Sequence, residues 1–395
     1  MVFYLKYHSH DIEKLHQLIG EFFNNVYKKN ITVFDTSLLP TWYLTTPNRM
    51  VSMEGELTKF LNFPETVKNE IIEAFLVCED VEALFSCEQA TYVHQPVALD
   101  FRKLKDDGTV DNSIERYLIS LFVDTLYEGQ LGKKDSTFSK KIGSNIGSHY
   151  LGLKNESSFY DEDFNLCPFC GIEPLKLLES EGRPDYDHLL PKGDSLYIFS
   201  AINIKNLIPM GDHCNSKKSS KNLLFTDVNR TVKTIAFYPY SLSPNPFELY
   251  NIELSCTDTP KFSNSWKGNW NIDIKPNDPL DTITLAKISS WDRVFNIKAR
   301  YCEYIQDHLK SIINKILKTI DSSINDLLNE VKTKLQYRLD NFYKYEYLFV
   351  STEEGLIPTR NLILWFLSND NFLMSYLEQK KKIQANDIDM SMLEL

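Results

Sequence analysis

The chain has 395 residues, 43% hydrophobic and 25% charged, which is enough apolar material for two or three domain-sized cores. Its formal charge of −11 excludes a protein that coats nucleic acid by bulk electrostatics, because phosphate neutralisation needs clustered Lys and Arg, so any contact with DNA has to be local. No run reaches the eighteen or more apolar residues of a membrane span, and Met-Val-Phe-Tyr-Leu-Lys is not the start of a secretory leader; a cytoplasmic protein with no membrane partner is expected.

In chain order, residues 1–155 carry helical periodicity. Ile12, Leu15, Leu18, Ile19, Phe22, Phe23 and Val26 share one face, and Ile71, Ile72, Phe75 and Leu76 share another. A further helix is expected from about Asn112 through Tyr117, Leu118, Leu121 and Phe122. The Lys-, Ser- and Gly-rich run from Lys133 to His149 reads as a loop, a plain linker with Lys133, Lys134, Lys140 and Lys141 as an alternative phosphate contact. After a motif-bearing region at 156–246, residues 247–280 alternate at Tyr250, Ile252, Leu254, Trp266, Trp270, Ile272 and Ile274, the pattern of short strands.

Residues 281–395 form a helical C-terminal region. Asp281 to Glu354 holds neither Gly nor Pro, and Ile305, Leu309, Ile312, Ile316, Ile320, Ile324, Leu327, Val331 and Leu335 recur at helical spacing. One long helix or an antiparallel pair is expected there, with a polar tail from Lys380. Cys78, Cys87, Cys256 and Cys302 are scattered and read as reduced core residues, not a disulfide framework. No Gly-rich phosphate loop is present, so ATP hydrolysis would have to come from another polypeptide.

The chemistry is concentrated between Cys167 and Lys218, in four clusters: Cys167-Pro-Phe-Cys170-Gly, Asp187-His188, Asn206-Leu-Ile-Pro and Cys214-Asn215-Ser-Lys217-Lys218. Asp and Asn oxygens suit Mg²⁺ or Mn²⁺. A neutral histidine oriented by a second group can take a proton from water. Lys192, Lys205, Lys217, Lys218, Lys221, Arg230 and Lys233 make the nearest thing to a basic patch, interrupted by Asp194, Asp212 and Asp227.

The order of these clusters resembles the HNH endonuclease superfamily, whose core is a β-hairpin followed by a helix around one metal ion. The resemblance covers roughly residues 160–240 and implies an α+β protein with a ββα-metal module between helical flanks. It makes Asp187 and Asn215 the ligands of a catalytic Mg²⁺ or Mn²⁺, His188 the general base and Asn206 its brace, with Lys192, Lys217 and Lys218 on the nucleic acid. Zinc-stapled members of the superfamily carry two CxxC pairs. Here the second pair reads Gly211-Asp-His-Cys214, which leaves Cys167, Cys170 and Cys214, and His213 is the nearby nitrogen that could complete a structural Zn²⁺ site.

Phe237-Tyr-Pro-Tyr240 resembles an element of bacterial members, many encoded beside an ATPase in phage-defence operons. The resemblance implies metal-dependent hydrolysis of DNA as a defence effector, with a separate ATPase or sensor as partner. A ribonuclease of the tRNA-cutting type and an inactive zinc-knuckle scaffold are the alternatives.

Overall fold

In the computed structural model, which describes residues 5–45, 49–86, 103–104, 110–157, 166–175, 186–227, 232–241, 246–258, 268–317, 327–344 and 356–384, helices dominate and the strands form small antiparallel pairs. The class is α+β, as expected. Among the described residues, no helix is long and apolar enough to cross a membrane.

The helical start is set by a reciprocal cap: His10 Nδ1 accepts the Ile12 N–H at 3.3 Å and Glu13 Oε1 accepts the His10 N–H at 2.8 Å. Helix α1 (Lys14–Lys29) buries the expected face from Leu15 to Val26 and stops where Asn30 turns left-handed at φ 48°. Helices α2 (Val51–Leu61), α3 (Glu65–Val77) and α4 (Val81–Ser86) close over it, with the Phe23 ring 4.9 Å from Phe60 and 5.2 Å from Phe75. Leu76 is a correction. It is 50% exposed, because the buried stripe of α3 runs through Val67, Ile71, Ala74, Phe75 and Cys78 and leaves Leu76 on the far side.

A short pair, β1 (Lys103–Leu104) with β2 (Val110–Asp111), precedes α5 (Ser113–Leu118), whose first N–H, that of Ser113, is taken by Asp111 Oδ1 at 2.9 Å. The expected helix continues past α5 as a π-helix over Ile119–Leu131, closing with the Gly132 N–H on the Tyr127 carbonyl at 2.7 Å. The run from Lys133 to His149 is not a loop. It holds α6 (Thr137–Ile142) and the start of α7 (Ile146–Ser157). Its small polar residues are helix punctuation: Ser136 Oγ accepts the Ser139 N–H, Gly143 ends α6 at φ 68°, and Asn145 Oδ1 accepts the N–H groups of Gly147 and Ser148.

The strands β3 (Tyr186–His188) and β4 (Leu207–Pro209) pair antiparallel with Asp187 opposite Ile208, and α8 (Asp212–Lys218) follows directly. Between the strands, a 3₁₀ segment (Ser195–Ile202) packs on the π-helix through Phe199 and Phe122, ring centroids 5.0 Å apart. The expected alternation after 247 is one hairpin, β5 (Tyr250–Cys256) against β6 (Trp270–Pro276), with Ile252 opposite Ile274 and Leu254 opposite Ile272. Trp266 lies outside the described residues.

The Gly- and Pro-free stretch is neither one helix nor a simple pair. It divides into α9 (Thr282–Phe295), α10 (Ile297–Leu317) and α11 (Leu327–Lys344). The first break is at Asn296, one of the few residues other than glycine that takes a left-handed conformation readily, here at φ 55°. Ile320 and Ile324 lie outside the described residues. Helices α12 (Leu356–Ser368) and α13 (Asp370–Gln384) complete the region, so the expected polar tail begins inside a helix. The cysteines Cys78, Cys256 and Cys302 are free thiols as expected, but only Cys78 of the three is a buried core residue, Cys256 and Cys302 being half-buried, and Cys87 is outside the described residues.

Candidate functional site

His188 ends β3 with its side chain buried, and its Nε2 lies 2.8 Å from the Ala201 carbonyl oxygen. A carbonyl only accepts, so Nε2 carries a proton, which makes Nδ1 the basic nitrogen whenever the ring is neutral. Asn206 explains why Ala201 is there. Fully buried, it accepts the Leu190 N–H on Oδ1 at 2.7 Å and donates from Nδ2 to the Leu190 carbonyl at 3.0 Å and the Ser200 carbonyl at 3.1 Å. One amide thus ties both ends of the β3–β4 connection. The carbonyls on either side of Asn206 are themselves gripped, Lys205 by the Tyr238 hydroxyl at 2.9 Å and Leu207 by the Tyr240 hydroxyl at 2.8 Å, which gives the Phe237–Tyr240 element a bracing task.

Asp187 meets α8 instead of solvent alone. Its Oδ2 is 2.8 Å from Lys218 Nζ, an ion pair without good hydrogen-bond geometry, and the Lys218 side chain is only 1% exposed. This corrects the expectation that Lys218 presents a surface charge to phosphate. Asn215 lies one turn before Lys218 on the same face of α8, so it shares the side that looks at Asp187. Asp187 and Asn215 each offer a hard oxygen donor, the kind that Mg²⁺ or Mn²⁺ takes.

The remaining basic residues are dispersed. Lys192 Nζ lies 4.1 Å over the Tyr127 ring and pairs with Glu128, Lys221 donates to the Val294 carbonyl at 3.3 Å, and Lys205 sits over Tyr7. Lys217 is half-buried near the end of α8, and Arg230 is outside the described residues.

The thiols form a second centre. Cys167, Cys170 and Cys214 are buried together, and the fourth group among them is Glu173, with one ligand atom from each residue lying within 4.8 Å of the others. His213 is a correction: it is exposed on α8 and stands outside this set, since its neighbour Cys214 turns inward and adjacent helical residues point in different directions. Glu173 also occupies the helix start. Its Oε2 accepts the His213 N–H and its Oε1 the Cys214 N–H, each at 3.0 Å, so the α8 N-terminus is capped from within.

Arg300 on α10 completes the charge pattern, donating to Cys214 Sγ at 3.0 Å and to Glu173 Oε1 at 3.1 Å. Burial pushes the thiols up, and Cys167 and Cys214 stay well above the ordinary range. Against that same burial, hydrogen bonds from Cys167 and Cys214 and the Arg300 charge bring Cys170 well below it. Two more residues of the same helices anchor the knuckle: Trp291 Nε1 donates to the Phe169 carbonyl at 2.7 Å and the Tyr301 hydroxyl to the Cys170 carbonyl at 2.8 Å. Three buried sulfurs and a carboxylate could hold a metal ion such as zinc.

Glu173, Arg300 and Tyr127 were not anticipated. Only Glu173 had a signal, its position three residues after Cys170 opposite a glycine where a cysteine belongs. Compared with protein-family models, curated proteins and solved structures, the chain matches none of them.

Proposed function

We propose that the chain is a metal-dependent endonuclease of the HNH type that hydrolyses DNA phosphodiesters. The observation that carries the reading is the 2.8 Å contact of His188 Nε2 with the Ala201 carbonyl: a proton held on Nε2 makes Nδ1 the basic nitrogen of the neutral ring, one residue from the Asp187 carboxylate. In this reading Nδ1 removes a proton from the attacking water, and Asn206 keeps the Ala201 carbonyl in register so that the same nitrogen is always presented. Asp187 and Asn215 would hold a divalent cation, which supplies Lewis-acid stabilisation of the charge that builds on phosphate. A zinc ion on Cys167, Cys170, Cys214 and Glu173 would staple the hairpin to α8. A net charge of −11 gives little unaided affinity for DNA, in keeping with delivery by a separate ATPase or sensor in a phage-defence system.

The test is incubation of the purified chain with supercoiled plasmid, single-stranded DNA and total RNA in Mg²⁺ or Mn²⁺ against EDTA. Nicking of plasmid that EDTA abolishes and His188→Ala removes is the expected result. Cleavage confined to RNA transfers the same chemistry to a ribonuclease, and no cleavage of any substrate with an intact metal supply leaves the scaffold reading in its place.

A further inference from the structure

Two neighbours bear directly on the plane of the His188 ring. The Ala201 carbonyl takes Nε2–H, and the Tyr127 ring lies edge-to-face at 4.4 Å with 70° between the planes. A hydrogen bond through one ring atom fixes where Nε2 lies and sets the tilt of the imidazole plane only loosely. An aromatic ring packed against it removes this freedom, because the edge-to-face arrangement has a defined geometry.

Tyr127 is buried and is held in turn. Lys192 Nζ sits 4.1 Å from its ring centroid, and the same ammonium pairs with Glu128, the next residue along the helix. The backbone beneath Tyr127 is the π-helix Ile119–Leu131, where the Tyr127 carbonyl receives an N–H five residues on, from Gly132. Such turns are rare and gather at functional sites. The π-helix also packs on the 3₁₀ segment that carries Ala201, through Phe122 and Phe199, so both restraints on His188 depend on one element of the N-terminal region.

We propose that Tyr127 is a positioning residue for His188, delivered by the π-helix and steadied by Lys192 and Glu128, so that the N-terminal helical region is part of the nuclease centre. This rests on the reading of His188 as the general base.

The variants are Tyr127→Phe, which keeps the ring, and Tyr127→Met, a flexible side chain that fills the space without a ring face. Steady-state nicking of plasmid in Mg²⁺ should be within twofold of wild type for Phe. For Met, kcat should fall about tenfold with KM unchanged, the order that one aromatic contact is worth. Nitrogen NMR on selectively labelled histidine should show one Nε2–H tautomer for His188 in wild type and Phe, and an averaged ring in Met.

Tyr127→Met that melts like wild type and keeps both kcat and the single tautomer overturns the proposal. If Met fails to fold, the wild-type spectrum decides alone: ring-to-ring Overhauser contacts between Tyr127 and His188 with a single tautomer support it, and their absence overturns it. If the wild-type chain cuts nothing, the nuclease reading fails separately, and the NMR arms still decide whether Tyr127 orients the imidazole.

Discussion

The Glu173 side chain fills the space that a Cβ on Gly211 would need: its Cγ and Cδ each lie 2.5 Å from that position. A carboxylate occupies the gap at Gly211, caps α8 through the His213 and Cys214 N–H groups, and stands beside three thiols with Arg300 against it. The position that sequence spacing assigns to a cysteine is served in space by a residue from the opposite side of the knuckle.

Gly211→Ala should consequently destabilise the protein by about 1–3 kcal/mol, the usual cost of overpacking a filled site, and alanine is also a poorer residue than glycine at the N-cap of α8 that Gly211 occupies. The displaced carboxylate would leave two helix N–H groups and Arg300 without their acceptor. In the Glu173→Ala background the same change should cost far less, because the clash is gone. Thermal melts of the two single variants and the double variant test this, and simple additivity of the two effects would show that the residues do not share the space.

Elemental analysis of the purified chain should find about one zinc per molecule, lost in Cys167→Ser together with several degrees of melting temperature, since structural zinc contributes directly to folding. Gly211→Cys with Glu173→Gly rebuilds a four-sulfur set and should hold zinc against a chelator longer than wild type does. Arg300→Met should be strongly destabilising, on the order of 3 kcal/mol, because it leaves buried negative charge unpaired. A protein with no zinc, unchanged by Cys167→Ser, would return the thiols to ordinary packing.

Where a feature depends on neighbours in sequence, it was legible. The α1 stripe and the β5–β6 alternation follow from period. What was missed depends on distant chain or on ambiguous small residues. Arg300 reaches Cys214 from a helix far downstream, with no local pattern to announce it. Ser136, Gly143 and Asn145 look like loop composition because the residues that end helices are the residues that make loops. Lys218 reads as a surface cation until Asp187 is seen to hold it inside.

That ion pair gives a prediction about the catalytic cation. His188→Ala should lower cleavage roughly 10²- to 10⁴-fold at every metal concentration, as removal of a general base does. Asp187→Ala and Asn215→Ala should instead recover part of their rate as Mn²⁺ is raised. Lys218→Met frees Asp187 of its ammonium and should lower the Mg²⁺ concentration for half-maximal activity several-fold. If Lys218→Met only weakens DNA binding and leaves the metal dependence where it was, the lysine contacts phosphate and the competition idea is wrong.

Acid should unfold the N-terminal region through its histidines. Burial, then the charges of His10 and His8, lower the His149 imidazole from 6.5 to about 3, and burial with Lys205 lowers His16 to about 4. His149 is neutral in the fold because Nε2–H donates to the His8 carbonyl at 3.1 Å and Nδ1 accepts the Tyr186 hydroxyl at 2.9 Å, so a second ring proton has no acceptor. Between those values and 6.5 the unfolded chain binds more protons than the folded one. Stability is therefore complete above about pH 6.5 and falls as pH drops toward 4 and then 3, by on the order of a few kcal/mol. The lowered carboxylates add their losses only at more acid pH, Glu54 below the ordinary 4.5 and Asp35, Asp273 and Asp281 below the ordinary 3.8. Urea titrations at pH 7 and 5 should show this loss, and His149→Gln, though less stable at pH 7, should lose less between the two. Equal losses in wild type and His149→Gln would mean that His149 is not a source of the acid sensitivity.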